Sequence, residues 1–384
     1  MRAKKSGSRD PKYFGSIHVS TRIYRALKRM GYSDPTPIQI ESIPKLSLGS
    51  DIVGKAQTGT GKTTAFSIPL IQKIDPTKTT TQGIVLVPTR ELAVQVTGEI
   101  KKLSQFLPIR TTTLYGGQPI IKQVEELKKT PHIIVGTPGR ILDHLRRNTL
   151  RLDRITFAIL DEADQMLDIG FSDDMIKILS LTPRNRQTAL FSATIPPTIK
   201  RLINRFLRNP QYIDVGNGIE AADTVKQMYY EVAEQDKFKG LTEILSSDAD
   251  ARKTLIFCRT QIGVDILARR LSKENFNANA IHGGLSQIQR DKVISSYRLG
   301  KSQILVATNV AARGLDIPDI GYVINYNMPG NIEEYIHRIG RTGRIGNLGT
   351  SITFVGEDDF ELMDLIKKKF EANIEKGRLL LYQN

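Results

Sequence analysis

The residues with the clearest chemistry are Ala56-Gln57-Thr58-Gly59-Thr60-Gly61-Lys62-Thr63. Their spacing is that of a phosphate-binding loop, Gly, four residues, then Gly-Lys-Ser/Thr, with Ala56 in place of the first Gly. Gly59 and Gly61 let the backbone curl so that its N–H groups point at phosphate oxygens. Lys62 brings a counter-charge to the β- and γ-phosphates, and Thr63 offers a hydroxyl to Mg²⁺. Residues 51–54 read as a short buried strand before the loop. Residues 64–68 read as a helix after it, whose N-terminus adds anion stabilisation. A glycine-rich turn shares the letters but not this context.

A second constellation follows. Residues 155–160 form an apolar run ending in Asp161-Glu162-Ala163-Asp164. A carboxylate at a strand's carboxyl end, beside a phosphate loop, can hold Mg²⁺ partly through water. A neighbouring carboxylate can orient and activate an attacking water. Alone, the four letters read equally as a solvated acidic turn capping the next helix; the phosphate loop separates the two readings.

Both sites need a scaffold, and alternating apolar and amphipathic runs supply one. Residues 84–87, 133–135 and 188–191 are strand-like, each followed by a helical pattern, which argues for parallel α/β sheets. The pattern restarts after residue 224, with strand candidates at 255–257, 278–281, 304–307, 322–324 and 352–355. Residues 216–223 are a short glycine-containing linker. The expected organisation is a flexible basic arm over 1–12, a first α/β domain over 13–215, and a second over 224–384. Residues 362–381 look like a closing helix, with Lys367, Lys368 and Lys369 on its solvated face. A complete phosphate loop occurs only in the first half, which suggests a nucleotide held by one domain and completed by the other.

Composition bounds the partners. The chain has 384 residues, 40% of them hydrophobic and 25% charged, enough for real cores and a solvated surface. A net charge of +15 favours a polyanion. An anionic membrane surface would suit the same balance, but no apolar stretch is long enough to span a bilayer. The N-terminus is basic without an apolar region, so it is no secretory signal. A single cysteine, Cys258, cannot form an internal disulfide or a cysteine-rich metal site, and its apolar neighbours mark it as a buried small hydrophobe. These features suit a reducing, intracellular compartment, the cytoplasm foremost, with the nucleus left open.

Further motifs stand between and after these two. They are Pro88-Thr89-Arg90-Glu91-Leu92, Gly116-Gly117, Thr137-Pro138-Gly139-Arg140, Ser192-Ala193-Thr194 and Gln287-Ile288-Gln289-Arg290. Two more are the run from Ala307-Thr308-Asn309 to Arg313-Gly314-Leu315-Asp316, and His337-Arg338-Ile339-Gly340-Arg341-Thr342-Gly343-Arg344. In kind and order they resemble the DEAD-box ATP-dependent RNA helicases, over residues 14 to about 354. The resemblance implies two RecA-like domains, ATP as substrate with Mg²⁺, and RNA, single-stranded or a short duplex, as partner of a monomeric chain.

It also implies roles. Phe14 would stack on adenine and Gln39 would read its edge; from the residues alone, Phe14 is as well a core residue and Gln39 a helix-surface one. Lys62, Asp161, Glu162, Arg341 and Arg344 would be catalytic, the two arginines as fingers at the γ-phosphate, and Asp316 would contact the ribose. Ser192, Thr194 and His337 would couple hydrolysis to strand separation. Thr89, Arg90, Gly117, Thr137, Gly139, Arg140, Arg259, Arg290, Thr308 and Gly314 would face RNA. Hydroxyls, arginines and backbone N–H groups read phosphates and not bases, so sequence-independent binding is expected. Three arginines in the stretch 337–344 should face anions or solvent. Asn309 stands where the family usually has Asp, which removes a charge from that motif. An ATP-gated RNA clamp and a DNA translocase on the same core are the rival readings.

Overall fold

The computed structural model describes residues 12–56, 59–215, 225–247, 253–312, 320–343, 349–370 and 374–379. The chain divides into two compact units, Met1–Val215 and Gly216–Asn384.

The first unit opens with an antiparallel hairpin, β1 (Lys12–Phe14) and β2 (Ile17–Val19). Lys12, assigned by the sequence to the basic arm, already pairs with Val19. The main strands are β3 (Ile52–Lys55), β4 (Gly83–Leu86), β5 (Thr111–Leu114), β6 (Ile133–Gly136), β7 (Phe157–Leu160), β8 (Gln187–Ser192) and β9 (Gln211–Asp214). They form one seven-stranded sheet in the order β5-β6-β4-β7-β8-β3-β9, with every pair parallel. The strands read as continuous apolar runs because both faces are covered, as a parallel sheet requires. Side chains alternate between two cores: Val85, Ile159 and Ala189 join the helices Lys62–Lys73 and Arg90–Leu103, while Ile84, Ala158 and Leu190 join Ile141, Ile178 and Ile199 on the other face. Because all strands run the same way, their carboxyl ends and the loops that follow share one edge, where open α/β sheets place their ligands.

The second unit repeats the plan with β10 (Val225–Glu231), β11 (Lys253–Cys258), β12 (Ala278–Ile281), β13 (Ile304–Thr308), β14 (Ile320–Asn325), β15 (Gly349–Val355) and β16 (Ile374–Lys376). The order is β12-β13-β11-β14-β15-β10-β16, again parallel. Cys258 is buried at the end of β11, and burial pushes its thiol up to about 12 against a small opposing pull from Arg338.

The C-terminal segment departs from expectation. The helix is Phe360–Lys369, and the chain then forms β16, pairing Ile374 with Gln227 of β10. The cause is tertiary. Ile374 and Leu379 are both buried, Leu379 within the core that contains Phe238 and Phe354. Gly377 lets the strap lie against Tyr230, since a Cβ there would stand 2.3 Å from its ring. The expected linker, 216–223, and residues 1–11 of the arm lie outside the described residues.

Leu379→Ala should therefore destabilise the second unit by about 2–5 kcal/mol, the usual range for emptying a leucine-sized core site. Calorimetry of the full chain reads this as an earlier melting transition. An unchanged profile would show that the strap does not hold the second core together.

Candidate functional site

The phosphate loop leaves β3 beside β8, where the Ala56 N–H donates to the Ser192 carbonyl at 3.1 Å. Gly59 and Gly61 take the left-handed conformation, with φ of 85° and 88°. Lys62 opens the following helix with its side chain buried, and its Nζ donates to the Ala56 carbonyl at 2.9 Å. The ammonium is thus aimed back across the mouth of the loop. Thr63 is half-buried one residue further on. Gln57 and Thr58 lie outside the described residues.

Gln39 locks this loop from below. Its Oε1 accepts the Thr36 N–H at 3.0 Å, capping the helix Pro37–Ser47, and its Nε2 donates to the Gly61 carbonyl at 3.1 Å. It is a buried residue, not a helix-surface one. Phe14 is buried in the core of the first unit. The hairpin that carries it packs on the same segment, since a Cβ on Gly15 would stand 2.6 Å from Pro35 Cδ.

The acidic turn follows β7, the neighbour of β8. Asp161 is 2% exposed, and its Oδ1 accepts the Glu162 N–H at 3.0 Å. Burial pushes its carboxyl above the usual range, and the Lys62 ammonium opposes that rise. Glu162 is buried with φ of 52°, a left-handed conformation that only surrounding structure can hold in a non-glycine residue. Asp164 makes the densest contacts. Its Oδ2 accepts from Ala193 N–H at 3.1 Å, Thr194 N–H at 2.9 Å and Thr194 Oγ1 at 3.1 Å. Its Oδ1 accepts from Gln165 N–H at 3.0 Å, and its own N–H donates to Ser192 Oγ at 3.1 Å. Sequence reasoning assigned Asp164 no role. The available signal was the donor-rich Ser-Ala-Thr at the end of an adjacent strand.

Farther along the same edge, the ends of β4, β5 and β6 gather Thr89, Arg90, Gly117, Thr137, Gly139 and Arg140. Thr89 caps its helix by accepting the Leu92 N–H at 3.2 Å. The Arg90 guanidinium lies 4.4 Å from the Tyr115 ring centre. Arg140 donates through both terminal nitrogens to the Gln118 carbonyl at 3.1 Å. Gln123 in turn donates to the Tyr115 carbonyl at 2.9 Å and meets His144 at 3.1 Å, so the glycine loop rests on a buried polar chain. Gly117, with φ of 81°, sits where a side chain would approach Arg90. Thr137 and Pro138 begin the helix Pro138–Arg146, on whose first turn Gly139 and Arg140 lie.

In the second unit, Arg259 follows β11, exposed, with its N–H donating to Asn327 Oδ1 at 3.1 Å. Thr308 ends β13 and accepts the Ala311 N–H at 3.4 Å, and Asn309 begins the single turn Asn309–Ala312. Arg290 is half-buried on the helix Gln287–Arg298, which Ser286 and Gln289 cap reciprocally. His337 is half-buried on the helix Ile332–Ile339, and Arg341 is buried just beyond it. Arg338 does not follow the expectation that this arginine cluster faces anions or solvent. It is 3% exposed, pairs with Glu334, and donates to Asn325 Oδ1 at 3.0 Å and the Asn327 carbonyl at 2.9 Å. A buried guanidinium held this way is structural. Gly314, Asp316 and Arg344 lie outside the described residues.

Among the described residues, no group of three or more His, Cys, Asp or Glu is placed to hold a metal, and no helix is long and apolar enough to cross a membrane. The family model for the DEAD/DEAH box helicase matches residues 36–202, and that for the helicase conserved C-terminal domain matches 236–346. The DEAD-box ATP-dependent RNA helicase CshA of Bacillus licheniformis is 43% identical over 363 residues, 94% of this chain and 74% of that protein. CshA of Bacillus subtilis is 42% identical over 94% of this chain and 73% of its own length. Among solved structures, Dbp5 of S. cerevisiae bound to RNA and ADP BeF3 is 31% identical with a TM-score of 0.84, covering 94% of both chains. Mss116p bound to ssRNA and AMP-PNP is 28% identical at the same TM-score of 0.84, over 94% of this chain and 78% of that one.

The loop geometry makes a prediction of its own. A Cβ on Gly61 would stand 2.4 Å from Gln39 Nε2. Gly61→Ala should cost about 1–2 kcal/mol from left-handed strain. By forcing Gln39 off the loop it should also weaken nucleotide binding about tenfold, roughly one hydrogen bond to a charged or polar partner. Calorimetric titration and melting check both; wild-type affinity in this variant would show that the contact does not shape the loop.

Proposed function

This chain belongs to the DEAD-box ATP-dependent RNA helicases, and from that premise we propose that it is an RNA-dependent ATPase. On this reading it grips the RNA backbone without sequence preference and locally unwinds short duplexes. The observation that carries the reading is the junction at Asp164. Asp164 ties the acidic turn to Ser192 through its N–H and to Ala193 and Thr194 through its carboxylate, and Ser192 also accepts the first N–H of the phosphate loop through its carbonyl. A change at the nucleotide therefore has a direct mechanical route along the strand edge.

The residue roles rest on the family resemblance together with side-chain chemistry. Lys62 supplies the phosphate counter-charge, and the loop N–H groups cradle the phosphates. Glu162, buried and in a left-handed conformation that its surroundings hold, is assigned to accept a proton from the attacking water. The donor set fits Mg²⁺: one buried carboxylate, Asp161, and one hydroxyl, Thr63, leave the remaining positions to phosphate and water, as this ion prefers. Mg²⁺ would there neutralise charge on the phosphates. Gln39, from its fixed position beside Gly61, is assigned to the adenine edge and Phe14 to its face. Asp316 is assigned to the ribose. Arg341 and Arg344 are assigned to transition-state charge, and His337 to coupling. Arg90, Arg140, Thr89, Thr137, Gly117 and Gly139 in the first unit, with Arg259, Arg290, Thr308 and Gly314 in the second, are assigned to RNA phosphates and sugars. Their hydroxyl, guanidinium and backbone chemistry supports a sequence-blind grip. A preference for RNA over DNA then requires contacts to 2′-hydroxyls.

The test is ATP turnover with RNA, a matched DNA strand, or neither, in the wild type and Glu162→Gln. RNA should stimulate the wild type well above DNA, and the stimulation should weaken as salt rises. Glu162→Gln should lose about 10²–10⁴ in turnover, the usual worth of a general base, while still binding ATP. Equal stimulation by RNA and DNA would refute the RNA assignment, and near-normal turnover by Glu162→Gln would refute the catalytic one.

A further inference from the structure

Glu99 lies outside every motif above, yet it sits where three functional segments meet. Thr64, two residues after Lys62, is buried, and its Oγ1 donates to Glu99 Oε1 at 2.9 Å. The same Glu99 oxygen accepts the Tyr32 hydroxyl at 3.1 Å. Tyr32 belongs to the segment that runs into Gln39. Glu99 itself lies on the helix Arg90–Leu103, about 13 Å from Arg90 at the ordinary helical rise. Two residues earlier on that helix, Thr97 Oγ1 accepts from Thr113 Oγ1 at 2.9 Å, tying the helix to β5, whose end leads to Tyr115 and Gly117. At the start of the helix, Arg90 packs over Tyr115. The helix is thus pinned at Glu99 to the phosphate-loop helix, at Thr97 to β5, and at Arg90 to Tyr115 beside the glycine loop.

We propose that Glu99 is a positioning residue that couples nucleotide occupancy of the phosphate loop to the backbone-binding loops at Arg90 and Gly117, an inference that rests on the RNA-dependent ATPase reading. The physical route is short. Lys62 opens a stiff helix, so any shift of its first turn as Lys62 exchanges the Ala56 carbonyl for phosphate reaches Thr64 within one turn. Hydrogen bonds to a carboxylate are stronger than neutral ones, so Glu99 follows Thr64. Its helix then moves as one body and carries Arg90 with it. Tyr32 adds the base-recognition segment to the same oxygen.

The coupling is measured directly on the full chain. Affinity for a fluorescent non-hydrolysable ATP analogue is determined without RNA and with saturating single-stranded RNA, and the ratio is the coupling factor, reciprocal between the two ligands. Glu99→Ala should lower that factor at least about fivefold, the lower end of ordinary allosteric couplings. RNA-free nucleotide affinity should stay within about twofold, since Glu99 is none of the residues assigned to ATP or RNA. Glu99→Gln keeps an acceptor oxygen and should retain part of the coupling. Tyr32→Phe should lower it about twofold in the wild type and not at all in the Glu99→Ala background, the signature of a shared path. An unchanged coupling factor in Glu99→Ala would overturn the inference. So would a fall in coupling matched by a proportional loss of RNA-free affinity and melting temperature, because that is packing alone. If Glu99→Ala does not fold, Glu99→Gln and Tyr32→Phe decide, and wild-type coupling in both would overturn it. A wild type whose nucleotide affinity ignores RNA would refute the functional reading itself and this inference with it.

Discussion

Five hydrogen bonds meet on Asp164, and the first unit is organised around them. Its carboxylate accepts two backbone N–H groups and one hydroxyl from Ala193 and Thr194 with one oxygen, and the Gln165 N–H with the other, while its own N–H donates to Ser192 Oγ. Such charge-assisted bonds are short and strong, and they are strongest where water is excluded. Asp164 is buried. The turn after β7 and the turn after β8 cannot move independently while this carboxylate holds both. Glu162, two residues before it, owes its left-handed backbone to that grip and to the Asp161 bond to its N–H. Glu162, proposed as the general base, and the segment assigned to strand separation are therefore two ends of one rigid piece.

The sheet makes this piece possible. β3, β8 and β7 are adjacent and parallel, so the phosphate loop, Ser192-Ala193-Thr194 and Asp161-Glu162 leave the sheet side by side although they are far apart in sequence. β4, β6 and β5 continue the same edge to Arg90, Arg140 and Gly117. The residues assigned to the nucleotide and those assigned to the RNA backbone share one edge, and Glu99 is proposed to link them.

Much of this was legible in the residues. The α/β class followed from apolar runs such as 84–87 and 133–135, which read as strands because a parallel sheet buries both faces. The phosphate loop was legible because Gly61 and Lys62 have few other uses at that spacing. What escaped was set by tertiary partners. β5 is Thr111–Leu114, three threonines and a leucine, which favour a strand locally but make no apolar run, and it lies at the edge of the sheet paired with β6 alone. β16 was hidden because Ile374 follows an apolar helix in phase, and only the open edge of β10 draws it into a sheet. Arg338 is expected, with its neighbours, to face anions or solvent, but Glu334, Asn325 and Asn327 close around it. Asp164 and Glu99 act through groups distant in sequence, so no local pattern could reveal them.

On the proposed mechanism, Asp164 joins hydrolysis to duplex release. The direct measurement is duplex strands released per ATP hydrolysed, in the wild type and in Asp164→Asn, under conditions where both bind ATP and RNA. Asn keeps the size but loses the charge that holds Ala193 and Thr194. Turnover should persist while release per ATP falls about tenfold or more, since hydrogen bonds to a charged group are worth roughly 1.5–3 kcal/mol each. An unchanged ratio of release to hydrolysis would contradict the mechanism.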